Sequence, residues 1–332
     1  MPLHPELNAF LDLAEESQAE PFHRSTPAQA REAFERTTRQ LRWGAPADVG
    51  CSAITGKARD GADLELRLYR PATETADALP VLVYFHGGGY VVGSLESHDE
   101  VCREFCARTP CAVLSVGYRV APEHKFPTPL NDGADALAWL AQHAAAEGLD
   151  SSRVAFGGDS VGATLATVLA LQSALEPGSL AVRPCLQLLC YPVTDASTSS
   201  PSTELFGEGY LLESETLEWF YRHYANEPTD RLDWRFSPLL APSVQGLCPA
   251  VIALAGHDPL LDEGRAYARR LQEQGVVVEV VEYEGLIHDF LRMRSVVAEV
   301  EGVYRRLAEA LFRGLADVPG SSVGAGLPAM AS

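Results

Sequence analysis

A serine between two glycines, Gly158-Asp159-Ser160-Val161-Gly162, directly follows the apolar run Val154-Ala155-Phe156 and precedes a stretch of helix formers from Ala163 to Leu175. A strand, a sharp turn and a helix in that order hold a serine in strained backbone geometry. Its hydroxyl then stands clear of the sheet at the positive end of a helix dipole, and the glycines let strand and helix approach closely. The chemistry this suits is nucleophilic attack by oxygen. The motif is weak by itself, because any Gly-rich strand–helix turn looks the same. A serine hydroxyl also needs a base to take its proton, an acid to orient that base, and donors for the developing oxyanion.

Each partner can be sought separately at a strand end. The run Val81–Phe85 leads straight into His86-Gly87-Gly88-Gly89-Tyr90. Gly88 and Gly89, with the amide of Val161 after the serine, would form an oxyanion hole. A phosphate-binding turn fits less well, because Tyr90-Val91-Val92-Gly93 follows instead of a helix bearing Lys and Ser or Thr. The acid should follow a late strand. Val251–Ala255 ends in Gly256-His257-Asp258-Pro259, and Asp258 is the first acidic residue beyond it. Asp262 and Glu263, one turn later, read as caps of the next helix. Asp195, after Leu186–Cys190, is a rival acid. The base should come last, and His288 follows Val276–Val281 within the loop 284–290. His257 is the alternative base, but adjacent side chains in an extended segment point apart.

These residues need a scaffold that brings several strand ends together. Val81–Phe85, Ala112–Val116, Val154–Phe156, Leu186–Cys190, Val251–Ala255 and Val276–Val281 are short apolar runs. Helical stretches at 97–108, 130–146, 161–175 and 263–274 separate several of them, and a last one lies near 293–314. Strands apolar on both faces and alternating with helices predict a parallel sheet with right-handed crossovers. Leu64, Leu66 and Leu68 alternate with Glu65 and Arg67, which predicts a half-buried antiparallel strand. Residues 1–45 have a helical pattern, with Phe10, Leu11, Leu13, Phe34, Leu41 and Trp43 as apolar positions and Pro21 and Pro27 as breaks. The interval 195–247 is aromatic-rich and too long for an ordinary connection, so a helical insertion is expected there, forming a cap with the N-terminal segment. Residues 46–318 then make up the catalytic domain, and the Gly-rich tail from Pro319 is expected to be disordered.

Charge and composition exclude several functions. The formal net charge of the 332 residues is -19, which disfavours nucleic acid and anionic membranes. No apolar run approaches the roughly 18 residues of a membrane span. The N-terminus lacks the pattern of a signal peptide. The seven cysteines form no C-x-x-C pair, and Cys102 and Cys106 read as two buried thiols. Free thiols in a cytoplasm are the expectation. Histidines and cysteines show no zinc-ligand spacing, so no metal is expected.

The motifs in combination resemble the hormone-sensitive lipase-like branch, bacterial family IV, of the α/β-hydrolase esterases. They are His86-Gly87-Gly88-Gly89, Tyr118-Arg119-Val120-Ala121-Pro122-Glu123-His124, Gly158-Asp159-Ser160-Val161-Gly162, Asp258-Pro259-Leu260 with Asp262-Glu263-Gly264, and His288, and the likeness spans roughly residues 65–315. It implies an α/β fold of the α/β-hydrolase type: a mostly parallel sheet flanked by helices, under a helical cap. It implies Ser160 as nucleophile, Asp258 as orienting acid, His288 as base, and Gly88, Gly89 and Val161 as oxyanion donors. His86, Gly87, Asp159 and Glu123 would be supports, Glu123 ordering the site without reacting. The chain departs from the family at Val161, Ala163 and Asp289, where alanine, glycine and glycine are usual. The resemblance implies a serine carboxylesterase acting on small-molecule esters of short to medium acyl chains, with no cofactor. An amide, carbamate or thioester substrate is the alternative. Non-catalytic receptors of this fold typically lack a basic residue at the position of His288. Dimers are frequent among similar enzymes, so a homodimer is carried as an expectation.

Overall fold

The computed structural model describes residues 2–17, 20–72 and 77–316 of the chain. Its strands are β1 (Gly50–Lys57), β2 (Asp63–Arg70), β3 (Leu79–Phe85), β4 (Ala112–Gly117), β5 (Leu149–Asp159), β6 (Leu186–Cys190), β7 (Ala250–His257) and β8 (Val278–Ile287). They form one sheet in the order β1-β2-β4-β3-β5-β6-β7-β8. The first two pairings are antiparallel. Every later pairing is parallel. The helices are α1 (Pro5–Glu16), α2 (Pro27–Leu41), α3 (Asp99–Arg108), α4 (Thr128–His143), α5 (Val161–Leu175), α6 (Pro201–Leu205), α7 (Ser214–Tyr224), α8 (Leu261–Glu273) and α9 (Val300–Ala316).

The period of two in each strand divides the core between the faces of the sheet. Val81, Val83 and Phe85 of β3 join a cluster shared with α4, α5 and α8. Leu82 and Tyr84 join one shared with α3 and α9. Apolar runs read as strands because both faces are covered. Helix α5, at the centre, buries 12 of its 15 residues, as its uniformly apolar and small composition requires.

The interval between β6 and β7 is helical, as expected, and carries α6 and α7. The N-terminal segment packs on it: the Phe22 and Phe220 rings lie 6.1 Å apart. His23 Nδ1 lies 3.3 Å from Thr216 Oγ1.

Three expectations are corrected, and one strand is added. Strand β1 gives no apolar signal because it is an edge strand exposed along most of its length. Strand β8 runs on to Ile287 instead of ending at Val281, since its half-exposed edge carries Glu282 and Glu284. The last helix starts at Val300, because a 3-10 turn at Phe290–Arg292 intervenes. Leu13 is not a core position, being 65% exposed. The tail from Pro319 lies outside the described residues.

Candidate active site

Ser160 occupies the turn between β5 and α5, with φ 52° and ψ −126°. This conformation is unfavourable for a residue with a side chain and persists only where its surroundings impose it. Those surroundings are tight. A Cβ on Gly158 or Gly162 would collide with the Phe85 carbonyl oxygen, so both positions require glycine. The Ser160 amide donates to the Cys190 carbonyl at 2.9 Å.

Asp258 and His288 leave the ends of the neighbouring strands β7 and β8. His288 Nδ1 lies 2.7 Å from Asp258 Oδ2, and its Nε2 lies 3.0 Å from Ser160 Oγ. The carboxylate places the ring proton on Nδ1 and leaves Nε2 free to accept from the serine hydroxyl. The other Asp258 oxygen accepts from the Leu260 amide at 2.9 Å, which fixes the carboxylate. Burial pushes the His288 pKa down, but the charge and hydrogen bond of Asp258, then Asp289 and Asp159, outweigh it and raise the value above that of an ordinary histidine.

Gly88 and Gly89 follow β3 with φ 120° and 59°. The Gly88 carbonyl accepts from the amides of Val91 and Val92 at 3.0 and 2.9 Å, closing a tight turn. Among the described residues, the amides of Gly88, Gly89 and Val161 donate to no protein acceptor. A Cβ on Gly89 would run into the Phe220 ring of α7, so that ring lies directly on the loop.

The supports divide into two groups. Asp159 Oδ1 accepts from Tyr84 Oη at 2.7 Å and from the Gly87 amide at 3.1 Å, tying the serine turn to the glycine loop. His86 stacks on Tyr118 at 4.2 Å, while Tyr118 Oη donates to the His86 carbonyl at 2.7 Å. Burial and then the charge of His98 depress the His86 pKa to about 3, so this ring is neutral. Glu123 stands further out. It pairs with Arg31 of α2, whose Nε and Nη2 donate to the carbonyls of Val91 and Ala121 at 2.8 and 2.7 Å. The Arg31 hydrogen bond holds the Glu123 carboxyl down to about 2. Glu123 thus meets the loops through Arg31, a residue without any sequence signal of its own. Tyr84 and His98 were equally invisible, since only the folded sheet brings them to Asp159.

The rival candidates stay apart from this chain. Asp195 accepts from Ser197 N and Oγ at 2.9 and 2.5 Å in its own turn. The His257 ring packs against Phe206 and Tyr210, with centroids 5.3 and 5.5 Å away. The reading of Asp262 and Glu263 as helix caps is corrected: the cap position is Leu260 and carries no side-chain cap. Asp262 accepts instead from the Ser202 amide at 2.9 Å, and buried Glu263 from the Thr194 amide at 2.6 Å. A cavity of about 460 Å³ beside β7 and β8, lined in part by Phe206, His257 and Arg265, does not include Ser160.

His98, Asp159 and Asp289 bring potential metal ligands within 4.8 Å of one another. The carboxylates there already accept from Tyr84, Gly87 and Arg292. The buried guanidinium supplies the positive charge a metal ion would bring, so the set does not fit one.

A family model described as alpha/beta hydrolase fold matches residues 82–292. An ethyl acetate hydrolase from Pseudomonas putida is 45% identical over 316 residues, covering 94% of this chain and 99% of that protein. An arylesterase from Saccharolobus solfataricus is 30% identical and covers 94% of this chain and 100% of its own length. The crystal structure of a thermostable esterase from Pseudomonas putida superposes with a TM-score of 0.89 at 32% identity, covering 95% of this chain and 98% of that one. With motifs, topology and near full-length likeness in agreement, the chain belongs to the hormone-sensitive lipase-like branch of the α/β-hydrolase family, among its carboxylic ester hydrolases.

Proposed function

We propose that the chain hydrolyses esters of short acyl groups through an acyl-enzyme on Ser160. The observation that carries this reading is the continuous path from Asp258 through His288 to Ser160 Oγ, at 2.7 and 3.0 Å. Ser160 Oγ attacks the ester carbonyl carbon while its proton passes to His288 Nε2. The carbonyl oxygen becomes an oxyanion beside the amides of Gly88, Gly89 and Val161. The ester C–O bond breaks, and the imidazolium protonates the leaving alcohol. Water, deprotonated by His288, then attacks the acyl carbon and releases the acid and free Ser160. Asp258 keeps the histidine in the right tautomer and offsets its charge. Each oxyanion donor contributes about 3–4 kcal/mol in the transition state.

Two observations support a small acyl group. The Phe220 ring lies on Gly89, leaving little room beside the reacting carbon. The ethyl acetate hydrolase named above shares 45% of its residues over nearly the whole chain. Residues 1–45 and the insertion near 195–247 act as the cap over the catalytic domain. No helix among the described residues is long and apolar enough to cross a membrane. The exposed Val277 and Val280, beside and in the edge strand β8, support pairing with a second copy, which light scattering of V280K against the unmodified protein tests.

The central test is a p-nitrophenyl ester series from acetate to laurate, with an amide, a thioester and a lactone, run on the protein and on S160A. The expected result is preference for short esters and loss of turnover in S160A. Full turnover by S160A overturns the mechanism, and faster amide or thioester cleavage overturns the substrate class.

A further inference from the structure

Behind the catalytic path lies a second set of buried charges that the hydrolytic steps do not use. Asp289 follows His288 directly and is left-handed, with φ 68° and ψ 18°. Few residues other than glycine adopt this backbone conformation, aspartate and asparagine among them. Here the side chain is put to use: Asp289 Oδ2 accepts from Arg292 Nη1 at 2.8 Å. Arg292 is 3% exposed. Its Nη2 donates to Thr38 Oγ1 at 2.6 Å, and its guanidinium lies 4.0 Å from the centroid of the Phe34 ring. Phe34 and Thr38 are one turn apart on α2, where the Thr38 hydroxyl also donates to the Phe34 carbonyl at 2.9 Å. One face of the N-terminal helix therefore receives the guanidinium.

The other side of Asp289 faces the nucleophile turn. Its carboxylate, that of Asp159 and the His98 ring lie within 4.8 Å of one another. Asp159 immediately precedes Ser160, as Asp289 immediately follows His288. Asp159 is buried and Asp289 is 18% exposed in its side chain; two carboxylates this close repel, the more so where one is out of water. His98 Nε2 lies 3.2 Å from Asp159 on one side, while Arg292 holds Asp289 on the other. Without the guanidinium, the half-buried Asp289 carboxylate would lose its Arg292 partner one residue from the base and face Asp159 uncompensated.

We propose that Arg292 is a positioning residue for the base: it pins the Asp289 turn that sets the His288 ring against Ser160, and through Thr38 and Phe34 it makes that alignment depend on the docking of α2. This rests on the reading of His288 as general base. The groups facing His288 are Asp258 from the end of β7, Asp159 from the end of β5, Asp289 in its own turn, and the Tyr191 ring beyond β6 at 4.7 Å. The three carboxylates all favour the imidazolium, and Arg292 offsets one of them.

The test measures kcat, KM and the pH profile of p-nitrophenyl acetate hydrolysis for the unmodified protein, R292M, R292K, D289N and T38V, with S160A as control. R292M is expected to lose about 10- to 100-fold in kcat with little change in KM, as a displaced catalytic group does. Its acid limb should move to higher pH, because Asp289 is no longer offset. D289N should move that limb to lower pH. R292K, which keeps the charge but not the two-pronged reach, should leave the limb in place with an intermediate kcat. T38V should lower kcat a few-fold with no shift. A folded R292M with the unmodified profile and kcat overturns the proposal. If R292M does not fold, an unmoved acid limb in D289N together with an unchanged kcat in T38V overturns it. Activity in S160A would sink the catalytic reading itself; an inactive S160A beside unaffected Arg292 and Asp289 variants sinks only the positioning role.

Discussion

Ser160 and Asp258 leave strands paired with neighbours on both sides, whereas Phe220, which closes over Gly89, belongs to helix α7 of the insertion and meets other rings. On the sheet side the contacts are directional. Asp258, His288, Asp159 and Tyr84 meet through hydrogen bonds of 2.7 to 3.1 Å that define where each atom points. On the roof side, Phe220 meets Phe22 and Trp219 at centroid distances of 6.1 and 5.3 Å, and Phe22 meets Phe34 at 6.4 Å. Such contacts set a volume more than an orientation. In the proposed mechanism the floor fixes the reacting atoms, and the roof decides what fits above them. Arg31 and Arg292 are two of the polar links between the two, one reaching the loops beyond β3 and β4 and the other the turn after His288.

Substitution on each side should then have a different signature, and the largest effect belongs to the floor. D258N removes the carboxylate that selects the His288 tautomer, so kcat for p-nitrophenyl acetate should fall about 10⁴-fold with Tm little changed. A loss of only a few-fold would mean that the roof, not Asp258, orients the ring. F220A should instead change selectivity. The ratio of kcat/KM for octanoate over acetate should rise about 10- to 200-fold, with acetate turnover nearly preserved, and chain-length kinetics read this directly. An unchanged ratio with lowered kcat would erase the distinction between the two regions.

A smaller effect concerns pH. Since Asp258 and its neighbours win over burial, the His288 pKa lies above the ordinary histidine value of about 6.5, and in the proposed mechanism the neutral ring is the base. Activity should therefore fall as pH drops through that raised value, and an acid limb of kcat/KM below 6 would contradict the pairing. The smallest effect lies where floor and insertion join. Burial pushes the Glu263 carboxyl up to about 8, against hydrogen bonds from the Thr194 and Asp195 amides. A carboxyl whose pKa rises on folding binds its proton more tightly in the folded state. Its stabilisation is complete below the ordinary glutamate value and is lost as pH climbs toward 8. Between pH 5 and 8.5 the Tm of the unmodified protein should drop by about 2–4 °C more than that of E263Q. Parallel Tm curves for the two proteins would show that Glu263 keeps its charge in the fold.

What could be read from the chain follows the same division. The strands β3, β4, β6 and β7 announce themselves as apolar runs because both faces are buried, and β1 does not because it is an exposed edge. Ser160, Asp258 and His288 are legible because each lies in a local pattern that follows a strand, in an order the topology demands. Gly88 and Gly89 are legible because positive φ calls for glycine. Glu123 lies in a recognisable motif, but its partner Arg31 does not, since the pair is separated by 92 positions.

The sequence by itself determined the alternation of strands and helices, the strained serine turn and the order of acid and base. These depend on neighbours along the chain, whose spacing sets periodicity and backbone conformation. Only the tertiary structure decided that Asp159 bridges Tyr84, Gly87 and His98, that Phe220 lies on the Gly88–Gly89 loop, and that Arg292, which holds Asp289, reaches Thr38 of α2. Those contacts join residues far apart in the chain. Their energies depend on burial and distance, which exist only once the sheet and the segments above it have closed around them.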